Sequence, residues 1–143
     1  MAIPPIPPKL TLTIVTPDRR LVHEEVDEVQ LPGAEGYLGV LPGHAPLLTA
    51  LQVGVLWYRR GAERVYLAVA FGFAEVLPDR VTVLAQIAER AEEIDVQRAT
   101  EARARAERRL ARPTPDLDFE RARIALLKSL VRLQVSAKAR TRV

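Results

Sequence analysis

Residues 54–70, GVLWYRRGAERVYLAVA, decide the fold class of the first half of the chain. Two apolar runs, 54–58 and 65–70, flank the polar segment 59–64, which contains Gly61. Runs rich in Val, Leu and aromatic residues on either side of a Gly-containing loop are typical of a β-hairpin. The stretch therefore predicts two antiparallel strands.

Further candidate strands lie on both sides of this hairpin. They are residues 10–14, 26–31, 73–77 and 81–85, each bounded by turn residues such as Thr16-Pro17-Asp18, Pro32-Gly33 or Pro78-Asp79-Arg80. Alternating apolar residues within short runs indicate strands with one buried face. Many short strands at this spacing predict a β-sandwich or a barrel.

The chain changes character near residue 88. All seven glycines lie at or before Gly72, and the part before Glu89 has seven basic and nine acidic residues, a net charge of −2. From Glu89 onward there are fourteen basic and nine acidic residues, a net charge of +5, which together give the total of +3. We therefore predict two domains, residues 1–88 and residues 89–143.

The second domain reads as an antiparallel two-helix hairpin. Asp95 is placed to cap a helix that runs to about Ala111, the prolines at 113 and 115 interrupt it, and Asp118 is placed to cap a second helix. The predicted contact faces are Ala99, Ala102, Ala106 and Leu110 on the first helix, and Phe119, Ala122, Leu126, Leu130 and Leu133 on the second. Alanine buries little area, so the hairpin is expected to be detachable.

Residues 36–58 form an uncharged run of 23 residues, long enough to span a bilayer. Pro42, Pro46 and four glycines argue against a membrane helix. We predict instead that Leu47, Leu48 and Leu51 lie in the sandwich core together with Trp57, and that His44 satisfies backbone groups in a turn.

The composition leaves few candidates for catalysis. The chain has no cysteine and two histidines, and both serines lie in the basic tail. We predict no catalytic residue, no metal site and no required cofactor. A β-sandwich with a basic tail that binds nucleic acid is the alternative function, because the calculated pI is about 9.7. Few aromatics and interleaved acidic residues argue against it.

Four segments resemble the epsilon subunit of F-type ATP synthases, called delta in mitochondria: LPGAEGYLGVLPGHAPLLTAL, GFAEVLPDRVTVLA, AERAEEID and DFERARIAL. The resemblance covers essentially the whole chain. It implies an N-terminal antiparallel β-sandwich followed by a C-terminal antiparallel two-helix hairpin. It also implies a non-catalytic rotor subunit of the central stalk, peripheral on the cytoplasmic face of the bacterial membrane and membrane-associated through the complex only, with no nucleic-acid partner.

The resemblance also implies partners and contact residues. The sandwich would contact the gamma subunit and the ring of membrane proteolipid subunits, and the extended hairpin would contact the catalytic beta subunits. The candidates for the ring-facing contact are Glu35, Tyr37, Gly39, Pro42, Gly43 and His44. Many relatives carry an acidic residue where this chain has Tyr37, which can supply buried area and one hydrogen bond instead.

Two roles of the helices follow from the same resemblance. The hairpin of this family can restrain ATP hydrolysis, and the basic face implied for that role is Arg121, Arg123, Lys128 and Arg132. Some bacterial members bind ATP as a regulatory ligand through an I-D-x-x-R-A motif, which is intact here at residues 94–99. The implied ATP site consists of Glu89, Asp95, Arg98, Ala99, Arg121, Lys128 and Arg132. Lys128 stands where ATP-binding members carry arginine, and lysine lacks the bidentate fork that grips phosphate.

Overall fold

The computed structural model describes residues 3–140 and confirms the predicted fold class, a β-sandwich followed by two helices. The strands are β1 (Leu10–Val15), β2 (Arg20–Val26), β3 (Glu28–Gly33), β4 (Gly36–Val40), β5 (Leu47–Arg60), β6 (Glu63–Leu77) and β7 (Arg80–Arg90). A 3-10 turn (Ala91–Glu93) leads into α1 (Val96–Ala111) and α2 (Phe119–Arg140).

The seven strands are joined by hydrogen bonds in one continuous sheet with the order β2-β1-β7-β6-β5-β3-β4. Every neighbouring pair is antiparallel except β1 and β7, which run parallel and place the first strand beside the last. The large core lies wholly within this sandwich, from Leu10 to Ala88, and its largest fully buried side chain is that of Tyr58.

β6 is one long strand, so the prediction of separate strands at 65–70 and 73–77 is wrong. The chain bends between them at Phe71 (φ 61°) and Gly72 (φ 120°), while β6 keeps its register with β5 and β7 on both sides. Before the bend Leu67 and Val69 point into the large core, and after it Ala74 and Val76 do. A bend of this kind changes which alternate residues are buried without ending the strand.

The opposite correction applies at 26–31, which is two strands and not one. β2 ends at Val26 and β3 begins at Glu28, and Asp27 between them accepts a hydrogen bond from the backbone N–H of Gly61, 2.6 Å away. A hydrogen-bonded ion pair with Lys9 and, after it, the bond from Gly61 lower the pKa of Asp27. Asp27 therefore connects the junction of β2 and β3 to Gly61 in the turn between β5 and β6 and to Lys9.

The core predictions within residues 36–58 hold only in part. Leu51 is 4% exposed, as predicted, whereas Leu47 and Leu48 are 39% and 71% exposed and were wrongly assigned to the core. Leu48 pairs with the exposed Glu75 near one end of the sheet, where no other element of residues 3–140 covers that face. Trp57 is half-buried, with the Arg64 guanidinium carbon 4.4 Å from its ring centroid. The run forms β4 and most of β5, and no helix within residues 3–140 is long and apolar enough to cross a membrane.

Both predicted helix caps are present. The Asp95 carboxylate accepts a hydrogen bond from the backbone N–H of Arg98 (3.0 Å), and Asp118 accepts one from that of Arg121 (3.1 Å). Each satisfies one of the free N–H groups of a helix start. Phe119 does not join the predicted interhelical face, because it is the first residue of α2 and 58% exposed.

Helix α2 lies between α1 and the sandwich. On one side, small residues recur every seven positions and are buried, namely Ala122, Ser129 and Ser136. On the opposite side, Val131 and Val135 pack with Val55, Ala68 and Ile94 in a second, smaller cluster. Burying a valine is worth only about 1.5–3 kcal/mol, so α2 is held to the sandwich by far less apolar contact than holds the sandwich together.

Candidate functional site

Three of the six predicted ring-contact residues lie at one edge of the sheet, and the other three follow in the next segment of the chain. Glu35 is in the turn between β3 and β4, Tyr37 and Gly39 are in β4, and residues 42–44 follow it. β4 is the last strand in the sheet order, so its outer side is free of strand neighbours in the described chain. The structure thus brings Glu35, Tyr37 and Gly39 together at this edge, whereas residues 42–44 lie in a segment that is hydrogen-bonded to the turn between β6 and β7.

Tyr37 has an internal partner that sequence reasoning did not anticipate. Between Gln30 and Gly33 the pairing of β3 with β5 is irregular, and the Tyr37 hydroxyl accepts a hydrogen bond from the backbone N–H of Val55 (3.1 Å). Gly54 makes room for this contact, because a Cβ there would lie 2.8 Å from the Tyr37 hydroxyl. The ring of Tyr37 remains 58% exposed and available to a partner.

His44 lies in a tight segment after β4. Its Nδ1 donates a hydrogen bond to the Ala45 carbonyl oxygen (2.7 Å), and its backbone N–H donates to Leu41 (3.1 Å). Gly43, at φ 87°, donates its N–H to the Pro78 carbonyl oxygen (2.7 Å), which ties this segment to the turn between β6 and β7. Within residues 3–140 no group of three His, Asp or Glu side chains is placed to hold a metal ion.

A second surface was missed by the sequence reasoning. Four apolar residues on four adjacent strands are cross-strand neighbours on the outer face: Ala50 pairs with Phe73, Phe73 with Leu84, and Leu84 with Val15. Phe73 and Leu84 are 58% and 54% exposed. We call these four residues the apolar row. It lies beyond the bend in β6, whereas α2 covers the outer face before the bend.

The proposed nucleotide residues are only partly brought together. Glu89, Asp95, Arg98, Ala99 and Arg132 line one cleft of about 330 Å³ between the end of β7, α1 and α2. Arg121 and Lys128 do not line this cleft. Both line a hollow on α2 with Ile124 and Ala125, and Lys128 also lies beside Glu89 and Arg132 in a small pocket against the sandwich. Glu93, Ala102 and Arg105 line the cleft although the sequence reasoning did not include them.

The acidic residues of this cleft already have partners. The Arg132 Nε donates a hydrogen bond to Glu89 (2.7 Å), and Asp95 caps α1. Burial raises the pKa of Glu93, but hydrogen bonds from the Arg90 backbone and from Arg19 outweigh it, so the pKa is lowered overall. In the described part of the chain, the guanidinium groups of Arg98 and Arg105 have no such partner. The cleft can therefore offer two arginines to an anion.

The four residues of the predicted inhibitory face do not form one stripe. Arg121, Lys128 and Arg132 are spaced by seven and four and share one side of α2. Arg123 is 200° from Arg121 around the helix by ideal geometry and forms a bidentate ion pair with Glu120, with Nε and Nη2 at 2.7 Å and 3.0 Å from the carboxylate oxygens. This pair raises the pKa of Arg123 and lowers that of Glu120.

The missed cleft residues had a recognisable sequence signal. Ala102 and Arg105 stand four and seven positions after Arg98, which is helical spacing for one face of α1. The apolar row had no comparable signal, because it combines single residues from four strands whose register the sequence does not state.

The fold and these surfaces define a subunit that works by contact with partners. It has an apolar row and a glycine-rich edge on a rigid sandwich, and a basic hairpin that docks through one small cluster.

Comparisons with known proteins identify the family. The model of the ATP synthase delta/epsilon chain β-sandwich domain matches residues 9–91, and that of the delta/epsilon long α-helix domain matches residues 92–137. The chain belongs to this family, whose members are non-catalytic subunits of ATP synthase. It is 57% identical over 103 residues to the ATP synthase epsilon chain of Koribacter versatilis, covering 72% of each chain. It is 49% identical over 133 residues to that of Solibacter usitatus, covering 93% of this chain and 99% of the relative.

Solved structures agree with the fold. A chain of the Euglena gracilis mitochondrial ATP synthase superposes with a TM-score of 0.80 at 25% identity, covering 97% of this chain and 85% of that one. A chain of the Tetrahymena thermophila mitochondrial enzyme, at 18% identity and a TM-score of 0.55, shares the fold.

Proposed function

We propose that this chain is a rotor subunit in the central stalk of a bacterial, proton-translocating ATP synthase, peripheral on the cytoplasmic face of the membrane. Its sandwich docks on the gamma subunit and the proteolipid ring and helps to couple their rotation to the catalytic head. Its hairpin restrains ATP hydrolysis. The match to both parts of the family, sandwich and helices, carries the proposal.

Two surfaces of the sandwich suit two rotor partners. The apolar row is a hydrophobic strip on a rigid sheet, which fits the gamma subunit as a partner that buries area. The edge along β4 offers glycines for close backbone approach and the exposed ring of Tyr37, which fits the polar loops of the ring. The two surfaces adjoin at Ala50, whose carbonyl oxygen accepts a hydrogen bond from the Ala34 N–H in the turn between β3 and β4 (2.9 Å).

The hairpin supplies the regulatory part. Arg121, Lys128 and Arg132 share one side of α2 and would meet acidic loops of the catalytic beta subunits once the hairpin extends. Arg123 lies on another side of α2 and is paired with Glu120, so it is not part of this group of three. Because the apolar cluster that joins α2 to the sandwich, around Val131 and Val135, is small, such an extension costs little free energy.

Removing the hairpin tests this function. We expect a chain that ends at Arg90 to bind a complex lacking this subunit as the full chain does, because the large core lies within residues 10–88. ATP hydrolysis by that complex should be several-fold faster than with the full chain, since the α2 cations are gone. The assay compares hydrolysis after reconstitution with each chain. Equal hydrolysis rates would argue against the regulatory role, and loss of binding would argue against docking through the sandwich.

We also propose ATP as a regulatory ligand of the cleft beside Arg98 and Arg105. Isothermal titration of the isolated chain should detect binding at or below millimolar ATP, weakened by Arg98→Gln or Arg105→Gln because each removes a phosphate-binding donor. Arg103→Gln is the matched control, since Arg103 lies on the same helix, pairs with Glu107 and is outside the cleft. Absence of heat up to millimolar ATP would remove the proposal, as would equal weakening by the control.

A further inference from the structure

Three cations of α2 reach back to the sandwich. The Arg132 Nε lies 2.7 Å from Glu89 at the end of β7. The Lys128 Nζ lies 5.8 Å from the ring centroid of Phe71, and the Lys138 Nζ lies 5.1 Å from that of Tyr66, both in β6. All three contacts join the hairpin to the sandwich and none joins α2 to α1.

The pair of Arg132 and Glu89 is the strongest of these contacts. Its partners are 43 positions apart in sequence, and their side chains are 30% and 26% exposed. A charge-assisted hydrogen bond in a half-shielded position is stronger than a pair on an open surface. It also lies beside Val131, so a short stretch of α2 combines apolar and ionic contacts with the sandwich.

The two ring contacts extend the same line along α2. Phe71 is held by the bend in β6, where its backbone has φ 61°, and its ring is offered to Lys128. Each cation–π contact is individually weak at a partly exposed site. Together with the ion pair, they engage α2 over residues 128–138, which is about three helical turns.

We propose that these contacts form a latch that closes the hairpin on the sandwich without a bound nucleotide, with the Arg132–Glu89 pair as its main element. Arg132 and Lys128 belong both to the latch and to the face that would restrain hydrolysis. The chain therefore cannot use these cations on the catalytic head until the latch opens. Only this last consequence rests on the proposed function.

The latch also competes with an anion in the cleft. Glu89 and Arg132 both line it, so a ligand that takes Arg132 as a donor must first displace Glu89. Closure by the latch and closure by a ligand are then two alternative ways of holding the same hairpin down.

A buried thiol makes latch opening measurable. The chain has no cysteine, and the side chain of Val135 is fully buried between α2 and the sandwich, so Val135→Cys introduces one thiol that reacts only when the hairpin leaves the sandwich. The labelling rate of the full-length chain in nucleotide-free buffer then reports the open fraction, even when that fraction is small. Gln134→Cys, at the exposed neighbouring position, gives the rate of a freely accessible thiol.

We expect Glu89→Gln to raise the labelling rate of Val135→Cys about tenfold, because it removes one partner of a partly shielded charged pair. Arg132→Gln should act similarly, and adding Glu89→Gln to it should change the rate by less than about twofold. Glu107→Gln is the matched control. It removes the same charge from the pair with Arg103, which lies within α1 and does not touch the sandwich, and it should change the rate by less than about twofold.

Three results from the latch and control variants would overturn the latch. They are an unchanged rate for Glu89→Gln, an equal rise for Glu107→Gln, and independent effects of the two latch substitutions in the double variant. A parent rate as fast as that of Gln134→Cys would overturn it as well, because the hairpin would then be open throughout. Since neither ATP nor the complex is present, these outcomes do not depend on the nucleotide proposal or on inhibition of hydrolysis.

Discussion

Replacing Gly72 with alanine is expected to destabilise the sandwich by about 3–5 kcal/mol. Gly72 has φ 120°, a conformation that side chains rarely adopt, and a Cβ there would lie 2.0 Å from the Leu84 carbonyl oxygen. That oxygen belongs to the backbone of β7, so relief requires the two central strands to separate locally. The measurement is urea unfolding followed by the fluorescence of Trp57, the chain's single tryptophan, which lies in β5.

Alanine substitutions at two other glycines separate the cost of backbone strain from the cost of a steric clash. Gly36 has φ 124° but no heavy atom within 4 Å of a built Cβ, so Gly36→Ala should cost only the backbone strain, about 1–3 kcal/mol. Gly39 has neither feature, and Gly39→Ala should be nearly neutral. If Gly72→Ala cost no more than Gly36→Ala, the close approach of β6 to β7 would not be a real constraint.

The bend at Phe71 and Gly72 shows where sequence reasoning reached its limit on the fold. The apolar alternation on each side of it was readable, and both runs are strands. A positive φ at a phenylalanine has no signature in the sequence, so the sequence pattern predicts two strands where the structure has one bent strand. The helix caps at Asp95 and Asp118 were predictable because capping is a local interaction between residues three apart.

The part of the candidate site whose residues are close together in sequence could be predicted. Asp95, Arg98 and Ala99 lie within one helical turn and do share a cleft with Glu89 and Arg132. Whether Arg121 and Lys128 face that cleft depends on how α2 is rotated about its own axis between α1 and the sandwich. That rotation is set by the packing of α2 on the sandwich, which the sequence does not state. Their roles in nucleotide binding and inhibition, like the contact roles of the residues along β4, stay predictions.

The two leucine misassignments have different causes. Leu48 and Leu51 are three residues apart, so strand alternation places them on opposite faces, and only Leu51 is buried. Leu47 has the same alternation as Leu51 but lies at the start of β5, where it is 39% exposed. Apolar residues that a strand leaves exposed in one chain are the residues that another chain can cover.

The double variant Phe73→Ser with Leu84→Ser is expected to weaken binding to an ATP synthase complex lacking this subunit by about a hundredfold or more. The two side chains are direct cross-strand neighbours at the centre of the apolar row, and we propose that the gamma subunit covers them. Burying a large apolar side chain contributes about 1.5–3 kcal/mol, so the loss of two anchors accounts for a change of this size. Sedimentation of the reconstituted complex over a range of chain concentrations measures it.

The stability of the isolated chain separates a lost contact from a lost fold. Phe73 and Leu84 are 58% and 54% exposed, so the double variant should unfold within about 1 kcal/mol of the parent. Phe119→Ser is the matched control, because Phe119 is also 58% exposed but lies on the hairpin, away from the row. It should bind the complex as the parent does. Equal weakening by Phe119→Ser, or full binding by the double variant, would place the docking face elsewhere and leave the apolar row without a partner in the stalk.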